Sequence, residues 1–322
     1  MNTILITGGA GFIGSNLIEK ILSDNKYRVV CVDNFDNNYD PSFKKDNISL
    51  FLKNKSFILY RSDISKRDNL LKIFKKEKPD YIIHLAAKTD TRKAIDAPYD
   101  YVSTNVVGTL NLLDLAKDFK IKKFIFASSS SVYGNKNKAP FSEENNISYP
   151  LSPYGATKKM GEMLAYNYYY NFGLNVVCLR IFNAYGERNR PDLVLYKWTK
   201  NILQRKSIEM SGRGEKIRDF TYVGDIVRGI LLSLKSNIKY DIINLGNSKP
   251  ISLQKLLNIV EKEIGIKAKI RNRPSNKSSV EMTCADISKA RKILKWKPET
   301  ELKDGINKLV VWIRNNRSEK SH

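Results

Sequence analysis

Ile4-Leu5-Ile6-Thr7-Gly8-Gly9-Ala10-Gly11-Phe12-Ile13-Gly14 decides how this chain is read. An apolar, strand-like run passes straight into glycines at 8, 11 and 14, and a helical pattern, Ser15–Ser23, follows. The first glycine allows a tight turn, the second lets the backbone approach a pyrophosphate, and the third lets helix pack closely on strand. The helix start then offers unpaired N–H groups and a positive dipole end to phosphate. Asp33 closes the next apolar run, 19 residues after Gly14, close to the ~20 expected of a ribose-binding acid. A carboxylate there accepts from both ribose hydroxyls and repels a 2′-phosphate, which favours NAD over NADP. Phe12 and Ile13 lie in the same loop, Asn34 stands beside Asp33, and Asp63-Ile64 after the third apolar run reads as an adenine contact.

Working outward, strand-like runs at Ile4–Thr7, Arg28–Val32, Phe57–Tyr60, Tyr81–Leu85, Phe124–Ser128 and Asn175–Leu179 read as buried parallel strands. Helical patterns lie between them, among them Asp68–Lys76, Val106–Lys117 and Gly155–Asn171. Such alternation predicts an α/β fold, a doubly wound parallel (Rossmann) sheet with right-handed crossovers. After about Phe182 the alternation weakens, which predicts a smaller C-terminal α/β lobe for substrate. The expected division is 1–182 for the NAD-binding domain, with a return segment at about 219–248, and 183–322 mainly for the substrate lobe. The cleft between them is the default ligand site.

Composition narrows the chemistry. The chain has 322 residues, three cysteines (Cys31, Cys178, Cys284) far apart, and two histidines, His84 and His322. No metal-ligand or redox spacing exists, so no metal is expected, and an odd count of dispersed cysteines fits a reducing, cytoplasmic setting. His84 lies in an apolar run and reads as a core residue. No apolar run approaches the ~20 residues that cross a bilayer, and the N-terminus has no signal-peptide pattern. The net charge of +23 raises nucleic acid as a partner. The basic residues are nevertheless spread along the chain without a nucleic-acid-binding motif, and specific binding is not expected. A basic field also attracts an anionic sugar nucleotide.

Tyr154-Gly155-Ala156-Thr157-Lys158 opens a helical segment. Positions four apart share a helix face, so Tyr154 and Lys158 point together. A tyrosine of ordinary pKa ~10 is a poor base at neutral pH, but a nearby ammonium and a positive nicotinamide ring favour its phenolate. Upstream, Ser128-Ser129-Ser130-Ser131-Val132-Tyr133-Gly134 ends the fifth strand. Strand C-termini face the ligand in such sheets, so hydroxyls there are placed to share a substrate proton with Tyr154.

With these motifs the chain resembles the extended short-chain dehydrogenases/reductases, in the NAD-dependent sugar-nucleotide epimerase and dehydratase family. TGGAGFIG at 7–14, HLAA at 84–87, Asn105 in NVVGT, SSSSVYG at 128–134, YGATK at 154–158, RIFNAYG at 180–186 and RDFTYVGDIV at 218–227 carry the resemblance. It implies Tyr154 as base, Ser129 as its hydroxyl partner, and Lys158 on the nicotinamide ribose. Leu85, Ala86, Ala87 and Asn105 would lie near the cofactor, Asn183 would face the sugar, and Arg218, helped by Arg271 or Arg273, would bind the diphosphate. The family also implies a homodimer built on the helices at 106–117 and 155–171, where Tyr166, Tyr168, Tyr169 and Tyr170 suit burial.

The implied reaction oxidises the sugar at C4 to a transient 4-keto form. Dehydratases of the family carry Asp-Glu, and decarboxylases Glu, where this chain has Ser130 and Ser131; without an acid–base pair the extra step has no agent. The expectation is therefore a UDP-sugar 4-epimerase, an isomerase. Arg190-Pro191-Asp192 and the loop Tyr39-Asp40-Pro41 are nearest to UDP-glucuronate 4-epimerases, with Arg92 or Arg190 beside the uronate carboxylate and Ser130, Ser131 and Asn183 as further contacts. Thr89-Asp90-Thr91 departs from that group's small apolar turn, and Asp90 would repel a uronate unless paired. UDP-glucose or UDP-N-acetylglucosamine 4-epimerase, a dehydratase or decarboxylase, and a non-catalytic dinucleotide- or RNA-binding relative are the alternatives.

Overall fold

The computed structural model describes residues 1–274 and 280–318; His322 lies outside them. The chain begins β1 (Asn2–Thr7), α1 (Phe12–Ser23), β2 (Tyr27–Asp33), α2 (Ser42–Ser49), β3 (Phe57–Arg61), α3 (Arg67–Glu77) and β4 (Tyr81–His84). Two short helices, α4 (Lys93–Asp96) and α5 (Pro98–Tyr101), lead through a π-helical stretch, Val102–Val107, into α6 (Gly108–Asp118). Then come β5 (Lys123–Ser129), α7 (Pro153–Phe172), β6 (Val176–Ile181) and β7 (Asn183–Tyr185). The remainder is α8 (Val194–Leu203), β8 (Ser207–Ser211), β9 (Ile217–Arg218), β10 (Phe220–Tyr222), α9 (Val223–Lys235), β11 (Tyr240–Leu245), β12 (Ile251–Ser252), α10 (Leu253–Ile264), β13 (Lys269–Arg273), α11 (Ser288–Leu294) and α12 (Leu302–Ser318).

Seven parallel strands form the main sheet in the order β11-β6-β5-β4-β1-β2-β3. Their side chains alternate between two apolar layers, as the two-residue period of a strand demands. Ile4, Ile6, Val29, Cys31, Ile83 and Ile125 pack with Leu17 and Ile18 of α1 and Ile226 and Ile230 of α9. Leu5, Val30, Val32, Ile82, Phe124 and Phe126 pack with Leu70 and Phe74 of α3, Leu112 of α6 and Ala165 and Tyr168 of α7. With both faces covered, the strands read as continuous apolar runs. A third cluster, including Tyr185, Trp198, Met210, Leu256, Val260 and Leu309, joins α8, α10 and α12 into a separate layer of packing.

The strand order reverses between β1 and β4, and the crevice outside their C-terminal ends is where such sheets take ligands. The return segment expected at about 219–248 includes β11, paired with β6 at the sheet edge. His84 is a core residue: buried, it hydrogen-bonds Thr7 Oγ1 (2.7 Å) and Thr109 Oγ1 (2.9 Å), tying β4 to β1 and α6. Burial, and then the charge of Lys158, hold its pKa well below the ordinary value. All three cysteines are buried and unbridged. Among the described residues no helix is long and apolar enough to cross a membrane, and no cluster has the make-up of a metal site.

Candidate active site

A cleft of about 360 Å³ opens at the switch point. Its floor is the glycine loop, where Gly8 takes φ +69° and Gly11 caps α1 without a side chain. A Cβ on Gly14 would stand 2.4 Å from Gly8 O, and one on Gly8 would stand 2.7 Å from Ala86 N, so only glycines permit this cradle. Asp33, at the end of β2, is 6% exposed and accepts from Ala10 N (3.1 Å) and Phe35 N (2.8 Å). Burial raises its pKa, opposed by Lys44 and those two amides. The shape, the open helix N-terminus and the acid fit a dinucleotide, with Gly8, Gly11, Phe12, Ile13, Gly14, Asp33 and Asn34 along it. Asn34 Nδ2 donates to Asp63 Oδ2 (3.0 Å), which holds the two candidate adenosine-side residues together.

On the opposite wall, Ser152 caps α7 by accepting from Gly155 N, and Pro153 takes the first helical position. That fixes Tyr154 in the first turn and Lys158 one turn on, the spacing that sets both on one face. Lys158 Nζ donates to Ala127 O (2.7 Å) and lies 5.0 Å from the Phe126 ring centre. Burial pulls its pKa down to about 7, and Glu162 opposes the shift. Burial raises Tyr154, while the Ser129 hydroxyl and the charge of Arg190 lower it. Ser129, Ser130 and Ser131 line the cleft beside them, and the Ser129 hydroxyl also accepts from Ser131 N (3.1 Å). The only lining acids among the described residues are Asp33, which ends β2, and Asp36, three residues on.

A family model described as GDP-mannose 4,6 dehydratase matches residues 5–309. The chain belongs to this family of extended short-chain dehydrogenases/reductases. It is 42% identical to a UDP-glucuronate 4-epimerase of Thermodesulfobacterium geofontis over 98% of this chain and 97% of that one. Among solved structures, a Bacillus cereus UDP-glucuronic acid 4-epimerase in complex with UDP-glucuronic acid and NAD superposes with TM-score 0.91 at 36% identity, covering 98% and 99% of the two chains. A Thermotoga maritima UDP-glucose 4-epimerase with UDP-glucose gives TM-score 0.90 at 31% identity, with the same coverage.

For this extended short-chain dehydrogenase/reductase, the cleft gathers most of the residues singled out from sequence. Ile64, Leu85, Ala86, Ala87, Asn183 and Arg190 all line it. Asn105 sits behind the lining, buried, where it clamps the backbone of Lys88 (2.8 and 3.0 Å) and donates to Thr157 Oγ1 (3.0 Å).

Four of the arginines named from sequence lie outside this lining. Arg92 is exposed at the start of α4 and is not in the lining. Arg218 sits outside the lining, its Nη1 donating to Ile217 O (2.7 Å) and Glu281 O (3.1 Å). Arg271 and Arg273 stand exposed on β13, an edge strand paired to β8, where Arg273 bonds Glu209. Asp90 does not pair with the Arg92 side chain: its Oδ1 accepts from Arg92 N (2.8 Å) and Lys93 N (3.2 Å), capping α4. The acid that looked unfavourable for a uronate is thus turned to a helix start.

Sequence reasoning missed Lys44, Lys88 and Thr89 as cleft residues. Lys44 is buried, donates to Asp36 O (2.8 Å), and lies 5.1 Å from the Tyr39 ring centre. Lys88 bridges Asp36 (3.3 Å) and Asp100 (3.4 Å). Lys44 stands on α2, a polar helix without an apolar period, and Lys88 and Thr89 lie in the irregular segment between β4 and α4, where no periodicity assigns a facing.

Proposed function

We propose that this protein is an NAD-dependent UDP-sugar 4-epimerase that interconverts UDP-glucuronate and UDP-galacturonate. The observation that carries the reading is a Tyr154–Lys158–Ser129 cluster at the sheet's switch point, with no carboxylate among the lining residues that the end of β5 and α7 contribute, in a chain of this family. NAD, when bound in the glycine cradle, supplies a reversible hydride acceptor for the sugar's C4.

Tyr154 takes the proton of the 4-hydroxyl, and Ser129 bonds the same oxygen and shares that proton. The Lys158 ammonium holds the nicotinamide ribose and favours the Tyr154 phenolate. Burial alone pushes Tyr154 the wrong way for a base, so its activation depends on positive charge brought beside it. The keto sugar then turns within the cleft and is reduced on its other face, with Tyr154 returning the proton.

A dehydratase, the activity in the family model's description, must also remove a C5 proton and expel water. Ser130 and Ser131 stand where that chemistry needs an acid and a base, which favours the epimerase. Retention of both Tyr154 and Lys158 weighs against a non-catalytic dinucleotide- or RNA-binding role. UDP-glucose and UDP-N-acetylglucosamine remain the competing substrates, and the half-buried Arg190 in the lining favours the uronate.

In this reading 1–182 with the return segment at 219–248 holds the cofactor, and the rest of 183–322 holds the nucleotide sugar. Three buried thiols suit the reducing cytoplasm. A homodimer through α6 and α7 is supported by exposed Val107 and Leu110 on one side and Met160, Met163, Tyr166 and Tyr170 on the other. Tyr168 does not belong to that surface, being buried in the monomer against Phe172, and Tyr169 stacks on Tyr240. Substituting Tyr154→Phe tests the mechanism: turnover should vanish while NAD stays bound. An active Tyr154→Phe variant would refute it.

A further inference from the structure

The following rests on the epimerase reading and concerns how the cleft recognises the sugar's C6 group. Arg190 is held from three sides. Its Nε donates to Asp192 Oδ1 (3.0 Å) and its Nη2 to Asp192 Oδ2 (2.5 Å). Its Nη1 donates to Thr89 Oγ1, and the guanidinium carbon lies 5.7 Å from the Tyr39 ring centre. A guanidinium has five N–H donors, so these three bonds leave two for a ligand.

Asp192 and Thr89 hold the group in different ways. Asp192 is two residues away in the same loop, so that pair alone moves with its loop. Thr89 lies beyond the end of β4 and ties the guanidinium to the opposite wall. Its own position is fixed on both sides: Asn105 clamps the Lys88 backbone, and Tyr101 OH donates to Asp90 O (2.6 Å). Asp192 also cancels the charge of Arg190. The pair therefore offers an anionic sugar little net field, and any preference must come from where the two remaining N–H groups point. Guanidinium–carboxylate recognition is directional in this sense, and a misaimed fork loses its advantage.

We propose that Thr89 is a specificity-determining positioning residue, whose hydroxyl aims Arg190 at a carboxylate on C6 and so sets the preference for a uronate over a neutral hexose. Thr89 itself touches no substrate in this account; it acts through Arg190. The departure of Thr89-Asp90-Thr91 from a small apolar turn then has a use for its first residue and a structural cap for its second.

The test is calorimetric titration of the NAD-loaded protein and of its Thr89→Ala, Thr89→Val and Thr89→Ser variants with UDP-glucuronate and with UDP-glucose. Kinetics on UDP-glucuronate run in parallel. Loss of a hydrogen bond that fixes a charged group should weaken UDP-glucuronate about tenfold in Ala and Val, raise KM with kcat little changed, and leave UDP-glucose within about twofold. Ser, which keeps the hydroxyl, should restore wild-type preference. Equal weakening of both sugars, an unchanged preference in Ala and Val, or a Ser variant as impaired as Val would overturn the proposal alone. A wild-type protein that binds neither UDP-sugar would overturn the epimerase reading and the proposal with it.

Discussion

Glu162→Gln should destabilise the protein by about 3 kcal/mol while keeping the side chain's shape. Glu162 lies one helical turn beyond Lys158, and its side chain is 3% exposed, paired to Arg180 at 2%. The carboxylate accepts from Arg180 Nε (2.9 Å), Arg180 Nη2 (2.8 Å) and Ser128 Oγ (2.5 Å). Arg180 is further packed over the Tyr133 ring at 4.8 Å and donates to Tyr133 OH (3.1 Å). Tyr133 OH in turn donates to Asn244 Oδ1 (2.6 Å), which carries the network into β11. Taking one charge from such a pair leaves the other buried without a counter-ion, at a cost of ~3–5 kcal/mol. The amide oxygen keeps one acceptor, so the lower end applies. With ~2.1 cal/mol/K of unfolding entropy per residue, a chain of this length loses about 4 °C of Tm for that change. Thermal and urea melts of the purified variant measure it. Replacing both partners, Glu162→Leu with Arg180→Met, should cost less than Glu162→Gln alone, since no orphaned charge remains. A loss below about 1 kcal/mol in Glu162→Gln, or a double variant worse than the single one, would refute the claim that this pair is a dry, mutually dependent unit.

Gly14→Ala should cut NAD affinity at least tenfold by titration calorimetry, because its Cβ would meet Gly8 O at 2.4 Å and Gly9 Cα at 2.7 Å and displace the cradle; unchanged affinity contradicts the cradle. Lys158 gives a pH signature in the NAD-free protein. Its folded pKa, about 7, lies below the ordinary lysine value, so between pH 7 and ~10.4 the unfolded chain binds a proton that the folded one does not, and stability rises with pH across that window. Lys158→Met should therefore be more stable than wild type at pH 7 and lose that advantage by pH 10 in paired melts. A gap independent of pH would show that Lys158 is not buried in this way. For the proposed dimer through α6 and α7, Met163→Lys combined with Tyr166→Lys should shift sedimentation from dimer to monomer without unfolding, since both side chains are exposed in the monomer; a persistent dimer places the interface elsewhere, and a monomeric wild type refutes the dimer.

The sheet and the helix that brings Tyr154 and Lys158 to the cleft were legible because their signals are local. Buried parallel strands read as apolar runs, and a glycine loop between strand and helix needs no partner to be recognised. Tyr154 and Lys158 were readable for the same reason, being one helical turn apart. What stayed hidden depends on contacts distant in sequence. Lys44 enters the cleft on a polar helix, and only its packing against Tyr39 and the Asp36 carbonyl buries it. Thr89 acquires its place through Arg190, 101 residues away. Arg92, Arg218, Arg271 and Arg273 lie outside the lining of this cleft, and residue type says nothing about which way a loop or edge strand faces. Tyr168 and Tyr170 look alike in an aromatic run; the helical period buries Tyr168 and leaves Tyr170 at the surface.

The most direct test of the account is to incubate the purified protein with UDP-glucuronate and follow the sugar protons by NMR, with UDP-glucose and UDP-N-acetylglucosamine in parallel tubes. The account predicts conversion of UDP-glucuronate to UDP-galacturonate, approached from either sugar, with no accumulation of a 4-keto or pentose product. A stable 4-keto sugar, a UDP-pentose, or no change in any tube with NAD bound would contradict it.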